Sequence, residues 1–325
     1  MTQVTRPAPL HAGRGTLLIV FASLSFGASG PLAKPAMDAG LSPEEMVSAR
    51  IGLAALVLLA VVALWRPALL RVRRSDWRLL VGYGLVGVAG VQLFYFGAVA
   101  RIPIGVAMLL EFTSPVLVAL WVRFVRRVVL PARMWVGTVL AVVGLAMVAQ
   151  VWDGLRLDAI GLLLGAGAAL CSAAYFIVGE RGARRLDPLG MVTWGMVVGA
   201  VAISVLAPPW SLPFELFGVG ADFGGRQVPV WLLLVACAVV STALAYLLSI
   251  SSLRDLPANV VSVLGLLEPV VAMTLAWLML GQSLTAVQLV GAGVLLCGAT
   301  VVQQAARAPV VADLLPDGEP VHPLR

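Results

Sequence analysis

The sequence has little charge, and this shortage excludes an ordinary soluble protein. Only 12% of the 325 residues are charged, while 61% are hydrophobic and the mean hydropathy is +1.01. A soluble domain carries about 25% charged residues. The composition therefore indicates an integral membrane protein. The connections between apolar runs are also too short for a soluble signalling domain, which argues against a membrane sensor or scaffold.

Histidine, cysteine and aspartate are scarce where membrane chemistry would need them. His11 and His322 lie in the terminal tails, and the nine aspartates lie outside the apolar runs or at their ends. An intramembrane enzyme built on histidine or paired aspartates is therefore not expected. The cysteines lie within apolar runs and lack metal-ligand spacing, which predicts no disulfide framework. They are Cys171, Cys237 and Cys297. We expect no enzyme, cofactor or metal.

Long apolar runs are abundant. Only helices and closed barrels can span lipid, and continuous apolar runs of about 20 residues are typical of helices. We predict an all-α membrane protein with ten transmembrane helices, at approximately 15–35, 46–65, 78–98, 102–122, 133–150, 158–178, 189–207, 230–250, 257–280 and 284–303. The first run could be a signal peptide, but its length and the nine later runs favour a transmembrane helix. We expect 208–229 to be a surface loop with an interfacial piece.

The basic residues indicate orientation. An isoelectric point near 9.9 could suggest nucleic-acid binding, but the basic residues lie in short clusters between apolar runs. With a cytoplasmic N-terminus, 17 of the 22 basic residues fall on the cytoplasmic side. The other five are Lys34, Arg50, Arg101, Arg156 and Arg226. This bias follows the positive-inside rule. We expect a multi-pass protein of the bacterial cytoplasmic (inner) membrane, with both termini cytoplasmic and no nucleic-acid partner.

The second half of the chain repeats the first. A shift of 154 residues aligns 77–150 with 231–304 without a gap and superimposes Pro103 on Pro257. A shift of about 146 residues aligns the first span with the sixth. Five is odd, so the halves enter the membrane from opposite sides, an inverted repeat typical of secondary transporters. We predict a cytoplasmic tail at 1–14, five-helix repeats at 15–150 and 151–305, and a disordered cytoplasmic tail at 306–325.

Two acidic residues, Glu111 and Glu268, lie inside the predicted spans. A charge at the centre of a membrane helix costs at least about 2.5–3.5 kcal/mol, so such a residue is a functional candidate by default. The alternative is a structural carboxyl group that is protonated or tied to a neighbouring helix. We predict a substrate-binding or coupling role for both, with Glu111 carrying the coupling and Glu268 as a secondary or structural partner.

The repeat places these acids on matching helix faces. Under the 154-residue shift, Glu111 aligns with Gly265 and Ser114 aligns with Glu268. Positions three apart share a helix face. Each half therefore supplies one acid and one small residue, with the two acids staggered by one turn. Ser114 is a candidate site residue for the same reason.

Prolines follow both acids. Pro115 and Pro269 lack an N–H, so the carbonyls of Glu111 and Gly265 lose their helical donors. A freed carbonyl in the membrane needs another partner, such as protein, water or an ammonium group. We expect helix kinks at both prolines and at Pro31 in the first span.

Other polar residues in the spans are weaker candidates. Gln92 and Tyr95 lie three apart in the third span, Tyr175 lies in the sixth, and Tyr246 lies in the eighth. Each could contact substrate, but a tyrosine could equally anchor a helix at the membrane interface. Ser25, in the first span with Ser29, could line a cavity or serve close helix packing.

Arg50 lies near the start of the second span, after SPEEMVSA. We expect its guanidinium to extend toward the membrane surface or to pair with Glu44 or Glu45. Contact with substrate is the alternative.

The chain resembles EamA-type transporters of the drug/metabolite transporter superfamily. The stretch VQLFYFGAVARIPIGVAMLLEFTSPVLVAL is similar to a pattern of the threonine/homoserine exporter branch. The stretches FGASGPLAK, LGAGAALCSAAYFIVGERGA and STALAY…LPANVVSVLGLLEPVVA extend the resemblance over most of residues 15–303. Many relatives have Gly-Glu before the last span where this chain has Gly281-Gln282. That departure puts any role for an acid at this loop in doubt.

The resemblance implies a basket-like bundle with a central cavity lined by spans 1, 3, 4, 6, 8 and 9. It implies alternating-access export of small amino acids or related metabolites, and we expect proton coupling through Glu111. Export of a different metabolite or drug, an uncoupled uniporter and a non-transporting sensor or scaffold are the alternatives. We expect a monomer or homodimer in the lipid bilayer.

Overall fold

The structure, a computed structural model, describes residues 12–152, 158–281 and 283–307. The predictions for residues before 12 and after 307, including the disordered C-terminal tail, lie outside the described residues. So does Gln282.

Ten apolar helices cross the bundle within the described ranges, which confirms the predicted all-α membrane fold. They are α1 (Ala12–Asp38), α2 (Pro43–Trp65), α3 (Trp77–Val99), α4 (Gly105–Phe124), α5 (Ala132–Val148), α6 (Ala159–Ala183), α7 (Pro188–Ile203), α8 (Val230–Asp255), α9 (Ala258–Leu280) and α10 (Ala286–Arg307). Eight are long and apolar enough to span a bilayer, while α5 and α7 are shorter.

Local sequence signals begin several of these helices. Ser42 and Glu45 form a capping box before α2, in which the Glu45 N–H donates to Ser42 Oγ and the Ser42 N–H donates to the Glu45 carboxylate at 2.8 Å. The Asp158 carboxylate accepts from the Gly161 N–H at 2.7 Å at the start of α6. Asp187 caps α7 in the same way. These side chains accept backbone N–H groups that have no partner within the helix.

Three helices are interrupted shortly before a proline. The first consists of Ala12–Gly27 and Ser29–Asp38, the fourth breaks at residues 112–113, and the ninth breaks at Leu266. The missing N–H groups of Pro31, Pro115 and Pro269 explain these positions, because each removes a hydrogen bond to the carbonyl four residues earlier. The breaks in α4 and α9 are related by the 154-residue shift.

Helices α3 and α8 share a second irregularity. Residues Tyr83–Gly90 of α3 and Val239–Leu244 of α8 are wound as π-helical turns. The 154-residue shift superimposes 85–90 on 239–244. The repeat is therefore visible in the backbone, and π-helical turns are frequent at functional sites.

The two halves interlock. Helix α1 packs against α8 and α9, α6 packs against α3 and α4, α2 packs against α7, and α5 packs along α10. In each pairing one helix comes from the first half and its neighbour from the second. The space at the centre of the bundle is therefore enclosed by both halves.

A β-hairpin, absent from the predicted all-α fold, lies in the 208–229 connection. Strand β1 (Gly220–Phe223) pairs antiparallel with β2 (Arg226–Pro229). The two-residue turn between them is Gly224-Gly225, with φ of 61° and 82°. Positive φ at both positions is typical of a type I′ turn, which suits the twist of a hairpin. The strands pack beside the second segment of α1 and the start of α8.

Candidate functional site

A cavity of about 130 Å³ lies between the two halves. This exceeds the share of liquid volume of one water, about 30 Å³, and is smaller than a pocket for a drug-sized ligand, about 300–1,000 Å³. It is lined by Ile19, Ser23, Phe26, Ser29, Arg50, Gly87, Val91, Gln92, Glu111, Phe112, Ser114, Ser172, Tyr175, Phe176, Tyr246, Ser249, Ser262, Gly265 and Glu268. The lining comes from α1, α3, α4, α6, α8 and α9, together with α2.

The two intramembrane acids both line this cavity. Glu111 ends the first segment of α4, and Glu268 lies in the first turn of the second segment of α9. Their register partners Gly265 and Ser114 line the same cavity. The Ser172 hydroxyl of α6 lies 3.0 Å from that of Ser114 and donates to it. The helix interruptions therefore place both acids, one from each half, around one space.

Arg50 faces the cavity, contrary to the expectation of surface extension or an ion pair with Glu44 or Glu45. Its Nη1 donates to Ser29 Oγ at 2.5 Å. Its Nε is buried and has no hydrogen-bond partner within the described residues. The Glu45 carboxylate accepts from the Ser42 backbone instead. The interruption of α1 at Ala28 brings Ser29 to Arg50, a contact that charge patterning alone did not predict.

Aromatic side chains form one wall of the cavity. Tyr175 stacks on Tyr83 at 5.7 Å between ring centroids and meets Tyr246 edge to face at 5.6 Å. Phe26 packs edge to face on Tyr246 at 5.1 Å. The Tyr175 hydroxyl donates to Ser249 Oγ at 2.9 Å. Tyr175 and Tyr246 are buried and line the central space, so neither acts as an interfacial anchor.

Of the remaining predicted site residues, one lines the cavity and two do not. Gln92 lines the cavity beside Val91. Tyr95 does not line it but packs edge to face on Phe96 at 5.5 Å, within a cluster around Ala98. Ser25 is buried and does not line it either.

The polar cavity residues that the sequence analysis missed are serines. Ser23, Ser172, Ser249 and Ser262 line the cavity. Each lies three residues from another cavity residue: Ser23 from Phe26, Ser172 from Tyr175, Ser249 from Tyr246 and Ser262 from Gly265. Because positions three apart share a helix face, this spacing was available in the sequence as a signal.

A third acid, Glu180, lies within a membrane helix because α6 continues to Ala183, five residues beyond its predicted end at 178. The Glu180 side chain is 4% exposed. Its carboxylate lies 2.5 Å from Arg126 Nη1 and 3.1 Å from Arg184 Nη2. Arg126 also stacks over the Trp121 ring at 4.5 Å. This ion pair joins the end of α4 to the end of α6, outside the cavity.

A larger cavity of about 650 Å³ lies at the opposite end of the bundle from Glu180. Its walls are the end of α1, the hairpin turn and the end of α9. Lys34 and Asp38 lie in it and form an ion pair at 3.0 Å, one turn apart on α1. Neither predicted acid reaches this cavity.

Comparison with known proteins also divides the chain into two similar halves. The model of the EamA-like transporter family matches twice, over residues 13–150 and 159–303. The chain is 31% identical over 289 residues to the threonine/homoserine exporter RhtA of Salmonella typhimurium (strain SL1344), covering 88% of this chain and 89% of that protein. It is also 31% identical over 284 residues to the threonine/homoserine exporter RhtA of Escherichia coli (strain K12), covering 86% and 87%.

One crystal structure superposes with a TM-score of 0.73, at 22% identity, over 91% of this chain and 98% of that chain. This likeness supports the same fold. The double match to the family model accords with the repeat of five helices in each half. The chain belongs to the EamA-like transporter family.

Proposed function

We propose that this protein exports small amino acids or related metabolites across the cytoplasmic membrane by alternating access, with proton coupling through Glu111. The observation that carries the proposal is the cavity between the halves, to which each half contributes one carboxyl group. In transporters built from inverted repeats, substrate and coupling ions bind near the midplane at the repeat interface. The halves would rock around this cavity.

The substrate class is supported by the relatives and by the lining. The two similar exporters are named for threonine and homoserine. The cavity suits a small molecule, and its walls combine carboxyl, hydroxyl and aromatic groups. The carbonyls of Glu111 and Gly265, freed by Pro115 and Pro269, are further acceptors for an ammonium group.

Glu111 is the better candidate for coupling because of its place in the helix. It is the last residue of a helix segment, whereas Glu268 lies in the first turn of one. The helix dipole stabilises a negative charge at an N-terminus and opposes it at a C-terminus. The helix dipole therefore favours protonation of Glu111 over protonation of Glu268. A proton and a substrate ammonium group would compete for the Glu111 carboxylate, which couples their movements in opposite directions.

The test is efflux of radiolabelled threonine from proteoliposomes that contain the purified protein. Acidifying the medium outside threonine-loaded vesicles should accelerate efflux by the wild-type protein. Glu111→Gln cannot lose a proton, so we expect its efflux to fall to the rate seen without a pH gradient. If Glu111→Gln retained full, still pH-dependent flux, the coupling role would be wrong.

Two matched variants complete this experiment. Glu44→Gln removes an exposed acid outside the cavity and should behave as wild type. Glu268→Gln should lower flux while leaving the acceleration by external acid in place. Acceleration lost in Glu268→Gln and kept in Glu111→Gln would assign the coupling to the second half instead.

The alternatives predict different results in the same vesicles. An uncoupled uniporter would exchange threonine by counterflow without any response to pH. An exporter of another metabolite or a drug would leave threonine unmoved and transport a different member of a substrate panel. A non-transporting sensor or scaffold would produce no flux with any of them.

A further inference from the structure

Among the residues that the structure describes, the lining of the central cavity contains one cation and two carboxyl groups, which do not neutralise one another by direct contact. Arg50 lines it with Glu111 and Glu268. Within the described ranges, the ion pairs closer than 4.0 Å do not include Arg50. Unpaired charges in a membrane helix are costly and mark substrate or ion pathways. The arrangement is complementary to a ligand that carries both a negative and a positive group.

The guanidinium of Arg50 is hydrogen-bonded in place and still has N–H donors available for a ligand. Nη1 donates to Ser29 Oγ at 2.5 Å, and the buried Nε has no partner in the part of the chain that the structure describes. Arginine has five N–H donors in a planar fork, which matches the two oxygens of a carboxylate. Ser29 Oγ accepts from Arg50 and lies 4.0 Å from Cys237 Sγ, a weak hydrogen-bond partner whose place an anion can take.

The backbone supports an anion at the same place. Ser29 is the first residue of the second segment of α1, Ser29–Asp38. The N-terminal end of a helix carries a partial positive charge. In transporters with interrupted helices, such half-helix N-termini face the anionic groups of substrates.

We propose that Arg50 and Ser29 form a carboxylate subsite, opposite an ammonium subsite made by Glu111 and Glu268. The cavity would then select zwitterions that carry both groups on a small molecule. Amines without a carboxylate would be bound poorly. This inference rests on the proposed function, because it specifies which feature of an amino acid the transport site recognises.

The experiment compares L-threonine with L-threoninol, which has a hydroxymethyl group in place of the carboxylate. Each competes with radiolabelled threonine for transport into proteoliposomes. For the wild-type protein we expect threonine to compete at least about 30-fold better, since losing one partner of a buried charged hydrogen bond costs at least that factor. Arg50→Gln should raise the KM for threonine by a similar factor and bring the two competitors to near equality.

Conservative variants keep the inference testable if Arg50→Gln does not fold. Arg50→Lys retains a point charge without the planar fork, so its preference for threonine should be intermediate. Ser29→Ala should lower the preference several-fold. Arg101→Gln, which removes an arginine outside the cavity, should keep the wild-type ratio. A change in the ratio of the two competitors is not expected from a merely structural role.

Two results would overturn the carboxylate subsite alone: equal competition by both compounds in the wild-type protein, or an unchanged ratio in Arg50→Gln or Arg50→Lys. A wild-type protein that moves no amino acid would overturn the proposed function and this inference with it. Transport of amino acids by the wild type, with carboxylate recognition unaltered in the variants, separates the two failures.

Discussion

At the scale of single residues, the cavity is built from side chains that recur every third position. Ser23, Phe26 and Ser29 follow one face of α1, and Ser262, Gly265 and Glu268 follow one face of α9. The acids could be predicted because a charge in an apolar run is conspicuous. Ser23, Ser172, Ser249 and Ser262 were not, because a serine in a membrane helix also serves packing. Only the three-residue spacing distinguishes the two uses.

Arg50 could not be assigned from the sequence for a different reason. A basic residue near a helix end ordinarily extends to the interface. Its direction depends on the rotation of α2 and on the interruption of α1, which delivers Ser29 to its guanidinium. Both are tertiary features that local sequence does not specify.

The hydrogen bond between Tyr175 and Ser249 gives a prediction at this scale. Tyr175→Phe removes the donor and leaves the ring packed on Tyr83, so we expect a loss of about 1 kcal/mol in stability. Ser249→Ala leaves a buried phenolic hydroxyl without its acceptor and should cost more, about 1–3 kcal/mol. Thermal unfolding of the two variants in detergent measures the difference. A larger loss for Tyr175→Phe would show that the hydroxyl finds another acceptor.

At the scale of helices and strands, the prolines predicted the backbone better than the glycines did. A proline in an apolar run removes a defined hydrogen bond, so the interruptions of α4 and α9 lie close to Pro115 and Pro269. The Gly224-Gly225 turn was harder to recognise, because the flanking strands contain only four residues each. Such short strands have too little alternation to be separated from a loop by sequence pattern.

The contact between α5 and α10 depends on four glycines, and it gives the prediction at this scale. A Cβ atom at Gly291 of α10 would lie 2.6 Å from Met147 Cβ and 2.9 Å from the Gly144 carbonyl oxygen of α5. Gly298 meets the Gly137 carbonyl in the same way. Gly291→Ala must therefore push the helices apart, at a cost of about 1–3 kcal/mol.

Gly293→Ala is the matched control on the same helix. A Cβ atom at Gly293 meets nothing within 4 Å. Alanine is a better helix former than glycine by about 1 kcal/mol, so this variant should melt at the same temperature as wild type or higher. Melting curves in detergent compare the two. Equal melting temperatures for both variants would mean that α5 and α10 can separate without penalty.

At the scale of the whole molecule, the repeat predicted more than any single helix did. The 154-residue shift relates the breaks at 112 and 266 and the π-helical turns of α3 and α8. It could not predict that each half packs its helices between those of the other. Nor did it predict the asymmetry of the first helices: α1 is interrupted at Ala28, whereas its counterpart α6 is one continuous helix. Arg50 reaches the cavity beside the interruption of α1.

The orientation of the bundle in the membrane remains a prediction, and it rests on the distribution of the basic residues. If the proposed topology is right, the α2–α3 connection, with Arg66, Arg71, Arg73 and Arg74, faces the cytoplasm, and the 208–229 connection faces the opposite side. The attraction of basic residues to the cytoplasmic side accounts for this arrangement.

Green fluorescent protein does not become fluorescent when it is exported unfolded, so it reports a cytoplasmic position. Fusions of this protein test the orientation directly. Chains truncated after Arg74 should fluoresce when fused, and chains truncated within 208–229 should not. Alkaline phosphatase, which is active only outside the cytoplasm, should give the opposite pattern at the same two positions. The reverse of both patterns would place Arg66 to Arg74 outside. It would also reverse the side of the membrane on which the Glu180–Arg126 ion pair joins α4 to α6.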